Sequence, residues 1–190
     1  MTTPPWFDEV RSWLPADGDP ARPLIALSTV APDGYPDTRH VLLSDFDEQG
    51  FFFHTDARSR KLTELRAAPR ASFAIAWPEL RRQLVVVGDT ESASAEEATT
   101  AYQRRSYYLQ VLAWLNDAEF ARLDPAEGAR RWAEFEAAHP YGTLTPPATW
   151  AGIRIAPTRV TLWHGHPDTA SRRTEYTLVD GDWHTSTLPG

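Results

Sequence analysis

The sequence predicts a mainly β fold, an antiparallel sheet or closed barrel with helices at its periphery. Three observations favour this class. Short runs of strand-forming residues follow one another at hairpin spacing in the first half, similar runs return after residue 150, and an Ala- and Glu-rich helical stretch separates them over residues 95–140. At 190 residues the chain is long enough for a substantial core, so we expect one domain over residues 1–190.

The first half is predicted to begin with a short helix and continue as strands. Residues Pro5–Leu14 form an amphipathic pattern with Trp6, Val10 and Trp13 on one face, and a Pro-rich linker follows, so residues 1–20 are helix and linker. Asp45, Asp47 and Gly50 are expected in the turn before the third strand. The predicted strands are Leu24–Val30, Pro36–Ser44, Phe51–His54, Ala71–Trp77 and Gln83–Ser92.

The second half is predicted as helix and then strand. Residues Ala95–Phe120 are expected to be helical, and Asp124 with Pro125 opens another helix that ends near Ala138. The predicted strands are Trp150–Ile155, Arg159–His164, Glu175–Val179 and Trp183–Leu188.

Composition excludes several classes of function. The net charge of −7 argues against a general nucleic-acid binder and against attraction to anionic membranes. The absence of cysteine excludes disulfides, thiolate catalysis and cysteine-ligated metals. The sequence has neither a long apolar run nor a basic-then-apolar signal pattern, so we expect a cytoplasmic protein that does not enter a membrane.

The strongest local signal for binding is Ser59-Arg60-Lys61. Ser59 is predicted to cap a short helix, Arg60–Arg66, and cations in a first turn oppose the helix dipole unless an anion binds there. Free backbone N–H groups and two cations suit a phosphate. Lys61 is the only lysine in the chain, although a solvated surface lysine remains an alternative.

Other polar residues carry weaker predictions. Arg39 precedes the apolar run Val41–Leu43, and a guanidinium beside a buried strand needs an anion or dense hydrogen bonding. Gln83 begins a strand, where its amide could meet the edge of a heterocycle or simply be solvated in a turn. His164 and His166 share a strand face, but no third ligand follows at familiar spacing, so we predict no metal site.

Several motifs in order are more specific than any one of them. RxVLL (from Arg39), FxxHT (from Phe51), SRK (from Ser59), PRASFAIAWPELRRQ, PPxxWxGIRIxPxxVxLWxG and a final Arg173 together resemble the pyridoxine/pyridoxamine 5′-phosphate oxidase family. The resemblance covers about residues 22–114 and 146–188. It implies an FMN-binding split β-barrel and a homodimer with FMN at the interface. It also implies hydride transfer from a small-molecule substrate to the flavin, with O₂ as the acceptor.

The resemblance also implies site residues. On the flavin side these are Arg39, His40, Val41, Leu42, Leu43, His54, Thr55, Arg60, Lys61, Gln83, Trp163 and Arg173. The family's Gln-Ser pair after Ala113-Trp114 has no counterpart in this sequence. On the substrate side they are Ser44, Tyr102, Arg105, Thr169 and Ser171.

The substrate side departs from the family pattern. Ser44 stands where the family has a lysine that meets the substrate phosphate, Thr169 and Ser171 replace an arginine and a histidine, and Leu109 replaces a serine. Each charge-assisted contact contributes about 1.5–3 kcal/mol, so a phosphorylated B6 vitamer is not the expected substrate. Alternatives are a genuine pyridoxamine 5′-phosphate oxidase with a rearranged phosphate site, an oxidase of another cyclic amine or reduced aromatic ring, a non-catalytic flavin-binding protein, and a deazaflavin protein.

Overall fold

The computed structural model describes residues 3–15, 19 and 21–190. The predicted linker falls partly outside these residues. The helices are α1 Phe7–Trp13, α2 Arg60–Ala67, α3 Ala95–Gln103, α4 Tyr107–Leu115 and α5 Pro125–Ala138. The strands are β1 Leu24–Val30, β2 Pro36–Asp47, β3 Gly50–Asp56, β4 Arg70–Trp77, β5 Arg82–Ser92, β6 Trp150–His164, β7 Arg172–Val179 and β8 Asp182–Pro189. No helix in this described part of the chain is long and apolar enough to cross a bilayer.

The strands form an antiparallel barrel, which confirms the predicted fold class. The order β3-β2-β1-β4-β5-β6 closes because β3 also pairs with β6, and β7 and β8 extend the sheet beyond β6. Alternate residues point inward, among them Phe51, Phe53, Phe73, Leu84 and Leu162, each at most 1% exposed. Helix α1 packs on this core through Trp6, whose ring stacks 5.5 Å from that of Phe51.

One long strand replaces the two that were predicted after residue 150. Strand β6 continues through Pro157, which has no N–H to donate to a neighbouring strand. The pairing register between β5 and β6 shifts between Val87 and Gly88, and this bulge accommodates the proline. A Cβ on Gly88 would lie only 2.2 Å from the carbonyl oxygen of Ala156, so the close approach of the strands requires glycine there.

Two further expectations need correction. Strand β2 runs on to Asp47, so Asp45 and Asp47 are strand residues rather than turn residues, and Gly50 begins β3. The tight turn forms because Asp47 Oδ1 accepts from the backbone N–H groups of Gln49 and Gly50. The predicted helix over 95–120 is broken at Ser106, whose backbone is extended.

The break is stabilised by a buried amide. Gln110 of α4 directs its Nε2 at the carbonyl oxygens of Tyr102, Gln103 and Arg105, at 3.3, 3.5 and 3.3 Å. These carbonyls lie at the end of α3, where a helix leaves its last acceptors without partners. The Gln110 side chain of α4 therefore supplies hydrogen-bond donors to the carbonyl groups at the end of α3.

Candidate functional site

Helix α2 begins with a group of donors and no acid. Ser59 is its N-cap residue, its side chain makes no capping bond, and its buried Oγ has no hydrogen-bond partner among the described residues. The first turn contains no acidic residue. The N–H groups of Leu62 and Thr63 donate to the carbonyl oxygen of Ser59, at 3.0 and 3.3 Å. In the described chain this leaves the backbone N–H groups of Arg60 and Lys61 as unused donors at this end of α2.

Lys61 is the second feature of this helix start. Its ammonium lies 3.0 Å from Thr55 Oγ1, and within the described part of the chain it has no carboxylate partner within 4.0 Å. Burial, and then the charge of Arg39, lower the pKa of Lys61. The charges of Asp56 and Glu64 oppose this lowering of the pKa. A half-buried cation with no carboxylate in contact is still costly for the protein unless a ligand supplies one.

The two predicted arginines already meet carboxylates. Arg39 Nη2 lies 2.8 Å from both Asp37 Oδ2 and Glu64 Oε2, and Nη1 donates to Thr29 Oγ1. Arg60 contacts Asp37 Oδ2, and its Nε is 3.3 Å from Glu64 Oε1. The charge of Arg39 is therefore met inside the protein, mainly by Glu64, whose side chain is 1% exposed.

The edge of β2 beside this group is open. Strand β1 pairs with β2 from Pro36 to Leu42, whereas β3 pairs with it only from Leu43 onward. Side chains of Val41 and Leu43 pack on the barrel core, and His40 lies on the outer face opposite Ala26. Over this stretch a ligand on the open edge would meet mainly backbone N–H and C=O groups.

His54 is held between aromatic and backbone groups. Its imidazole stacks on the Trp150 indole at 5.3 Å, and both ring nitrogens are buried without a hydrogen-bond partner among the described residues. A Cβ on Gly152 would lie 2.8 Å from His54 Nε2, so this packing requires the glycine. Burial, and then the Arg105 charge, lower the pKa of His54 to about 4, against the opposing effect of Glu97.

This pKa predicts a stability change with pH. The unfolded chain, with a histidine pKa of 6.5, takes up the proton more readily than the fold, whose His54 has a pKa of about 4. Stability is therefore lost as the pH falls from about 6.5 toward 4, by about 2–3 kcal/mol at pH 4.5. His54→Phe, which keeps an aromatic ring on Trp150, should reduce the difference in unfolding free energy between pH 7 and pH 4.5, measured with urea.

The matched control is His184→Phe, which removes an exposed histidine from β8. This control should keep the pH dependence of the unmodified protein. An unchanged pH dependence in His54→Phe would contradict the assignment of the effect to His54.

Several of the residues predicted on the substrate side line one small pocket. It has a volume of about 130 Å³ and lies between β2 and the junction of α3 with α4. Ser44, Arg105 and Leu109 line it together with Leu42 and Arg104. The Arg105 guanidinium lies 4.8 Å from the centre of the Trp150 ring, and its buried Nε has no partner among the described residues. Asp19, Arg22 and Asp45 also line the pocket, so it combines aliphatic side chains with charges of both signs.

Tyr102 lies outside this pocket. Its side chain is fully buried, its hydroxyl donates to the carbonyl oxygen of Gln110 at 3.2 Å, and Trp114 Nε1 donates to the same hydroxyl at 3.2 Å. The expectation that Tyr102 contacts substrate therefore has no support in the geometry. Its hydroxyl instead ties α3 to α4, because the helix break turns the ring inward.

The remaining predicted residues form a second group. Gln83, Trp163 and Arg173 are cross-strand neighbours on β5, β6 and β7. Leu84 and Leu162 point into the barrel, so Gln83 and Trp163 face outward. Thr169 and Ser171 lie in the loop between β6 and β7. Because Thr55 pairs with Ala151 at the start of β6, the two groups lie toward opposite ends of that strand.

Comparison with known proteins identifies the family. The family model for pyridoxamine 5′-phosphate oxidase matches residues 7–143. A pyridoxine/pyridoxamine 5′-phosphate oxidase from Caulobacter vibrioides is 34% identical over 183 residues, covering 96% of this chain and 81% of the relative. Its counterpart from Brucella ovis is 35% identical over 187 residues, covering 96% and 90%. The chain belongs to the pyridoxamine 5′-phosphate oxidase family.

Solved structures of similar fold agree with this oxidase-family barrel. PhzG from Burkholderia lata, solved with tetrahydrophenazine-1-carboxylic acid, has a TM-score of 0.78 and 24% identity, covering 97% of this chain and 89% of that one. A pyridoxamine 5′-phosphate oxidase-related, FMN-binding protein from Nostoc punctiforme has a TM-score of 0.77 and 22% identity, covering 99% of both chains. At these identities the likeness establishes the fold.

Sequence reasoning missed two acids that contact Arg39, Asp37 and Glu64. Both carry a weak signal that could have been used. Asp37 and Arg39 are two apart on a strand and therefore share a face, and Glu64 is four residues after Arg60 on a helix. Neither spacing reveals that both acids converge on Arg39, which depends on how α2 packs against β1 and β2.

Proposed function

We propose that this chain is an FMN-dependent oxidoreductase whose cofactor phosphate binds at the start of α2. One observation carries the proposal: in the described chain Lys61 is half-buried and has no carboxylate partner, and Ser59, the N-cap residue of the same helix, has a buried hydroxyl without a partner. A phosphate would satisfy the ammonium, the hydroxyl and the free N–H groups at once. These residues fit the FMN that the family fold implies.

The open edge of β2 would hold the flavin ring. Its backbone groups from Pro36 to Leu42 are unpaired with β3, and the edge runs toward the Ser44 pocket. Bound flavin supplies the two-electron oxidation chemistry, and the protein supplies binding and orientation. Arg39, held by Glu64 and Thr29, would present a fixed positive charge beside the ring and phosphate.

The second group of residues supports a flavin site built from two copies of the chain. Between Ala151, which pairs with Thr55, and Trp163, β6 follows a path of about 40 Å at about 3.3 Å per residue. Gln83, Trp163 and Arg173 would therefore contact the flavin held by the other protomer of a homodimer.

The outer face of the barrel supports such a dimer. Ala26, Ala74 and Val85 form one row across β1, β4 and β5, and Ser28, Ser72 and Val87 form the next. All six are half-buried in a single chain, and their small side chains leave the sheet flat enough to pack closely against another copy.

The substrate is proposed to differ from the usual phosphorylated B6 vitamers. The pocket offers the serine hydroxyl of Ser44 and the aliphatic Leu109 in place of a cation and a hydroxyl, leaving Arg105 as its buried cation. Losing two charge-assisted contacts, at about 1.5–3 kcal/mol each, weakens phosphate binding by about 10²–10⁴-fold. A compact amine or reduced ring without a phosphate fits this lining better, since Asp19 and Asp45 also contribute to it.

A genuine pyridoxine/pyridoxamine 5′-phosphate oxidase is the second candidate. Arg104 also lines the pocket, 3.3 Å from Asp45, and its side chain is 60% exposed. Such an arginine could turn toward a phosphate and replace a lost cation. The identities of 34–35% to proteins of that name favour this candidate as well.

Anaerobic spectroscopy separates the candidates. When pyridoxamine 5′-phosphate is added to the FMN-loaded protein without oxygen, we expect the visible flavin bands to persist. Ser44→Lys should tighten binding of pyridoxal 5′-phosphate by at least about tenfold, because it adds one charge-assisted contact. Rapid bleaching of the unmodified protein would establish the second candidate. If dithionite reduces the bound flavin but no cyclic amine or reduced ring does, the protein is a non-catalytic flavin-binding protein.

A further inference from the structure

In the proposed phosphate site, the carboxylate of Asp37 forms ion pairs with two of the cations. Asp37 Oδ2 lies 2.8 Å from Arg39 Nη2 and also contacts Arg60 Nη2. A single oxygen that bridges two guanidinium groups has the role that a phosphate oxygen would have in the same place. Three cations therefore face two internal carboxylates, Asp37 and Glu64, and only Lys61 is left without one in the described part of the chain.

Asp37 is not needed to orient Arg39. That guanidinium is already fixed by Glu64 Oε2 at 2.8 Å and by the hydroxyl of Thr29, and both of these side chains are buried. Glu64 lies beneath the site, where a ligand cannot take its place, whereas the Asp37 side chain remains 20% exposed. The contact of Asp37 with the cations is thus additional to a framework that is complete without it.

Arg60 is the movable member of the group. Its side chain is 75% exposed, compared with 21% for Arg39, so it can turn from Asp37 to a bound ligand without disturbing the barrel. A phosphate monoester carries about −1.5 to −2 charges at pH 7 and would be repelled by a carboxylate on the same arginines. Phosphate and Asp37 therefore compete for Arg60.

We propose that Asp37 is an internal competitor of the cofactor phosphate: its carboxylate holds Arg60 in the free protein and must release it when FMN binds. This inference rests on the proposed FMN site at α2. It assigns Asp37 as a residue that sets cofactor affinity, in the direction of weaker binding. It also predicts that the FMN of this protein exchanges more readily than the number of cations alone would indicate.

The test compares FMN with riboflavin, which has the same ring and no phosphate. Asp37→Asn keeps the shape of the side chain and removes its charge, so FMN should bind at least about tenfold more tightly while riboflavin affinity stays the same. The readout is flavin fluorescence titration at low salt. The matched control, Asp182→Asn, removes one acid at the start of β8 and should change neither affinity.

A second variant of Asp37 keeps the inference testable if the first one does not fold. If Asp37→Asn unfolds, Asp37→Ser removes the same charge with a smaller side chain, and the same gain is expected. In an Arg60→Ala background, removing the Asp37 charge should give a smaller gain, because the contested cation is gone. Unchanged or weaker FMN binding by folded Asp37 variants would overturn the inference while leaving the FMN site intact. Failure of every variant to bind FMN would instead remove the proposed function, and the inference with it.

Discussion

A protein with Arg60→Ala and Lys61→Ala is expected to purify folded but colourless. Both residues lie in the first turn of α2, and neither contributes to the barrel core. Each charge-assisted contact to phosphate contributes about 1.5–3 kcal/mol, so loss of two weakens FMN binding by about 10²–10⁴-fold. FMN titration followed by flavin fluorescence measures the effect, and circular dichroism establishes that the fold is retained.

The control for this variant removes two positive charges elsewhere. Arg130→Ala with Arg131→Ala changes net charge equally on α5, where both arginines pair with surface glutamates. This protein should bind FMN as the unmodified chain does. Stoichiometric flavin in the Arg60/Lys61 variant would show that the phosphate does not bind at the start of α2.

The barrel could be predicted because its signals are local. Apolar runs, turn residues at hairpin spacing and the Asp124 cap each lie within a few residues of the element they define. The sequence also predicted a break between Ile155 and Arg159, where β6 is in fact continuous. The register shift of β5 beside Gly88 keeps β6 continuous there, and such a shift depends on residues far away in the sequence.

The site was predictable in part. Donors at the start of α2 follow from three consecutive residues, whereas the partners of Arg39 do not. Glu64 reaches Arg39 only because α2 packs against β1 and β2, and buried ion pairs of this kind leave little trace in local pattern. Tyr102 was assigned to the substrate side by resemblance, yet the break at Ser106 turns its hydroxyl toward Gln110. The separation of the predicted flavin-side residues into two groups was not predicted from the sequence, because it depends on the length of β6.

The separation of the flavin-side residues along β6 leads to a second prediction with a large effect on FMN binding. Gln83→Ala with Arg173→Ala removes two outward-facing groups at one end of β6, far from Lys61 within a single chain. If the flavin site combines both groups from different protomers, this variant and the Arg60/Lys61 variant should each bind FMN poorly alone. Neither set of changes touches the barrel core, so both proteins should still assemble.

The most direct test of the account is to co-express these two variants and titrate the mixture with FMN. In a mixed dimer one site carries both lesions and the other is intact, so random assembly should restore about a quarter of the sites to normal affinity. Each variant alone should show almost none. A mixture that binds no more FMN than the separate variants would contradict a site shared between two copies. Tight FMN binding by the Gln83/Arg173 variant alone would contradict the proposed ring contacts.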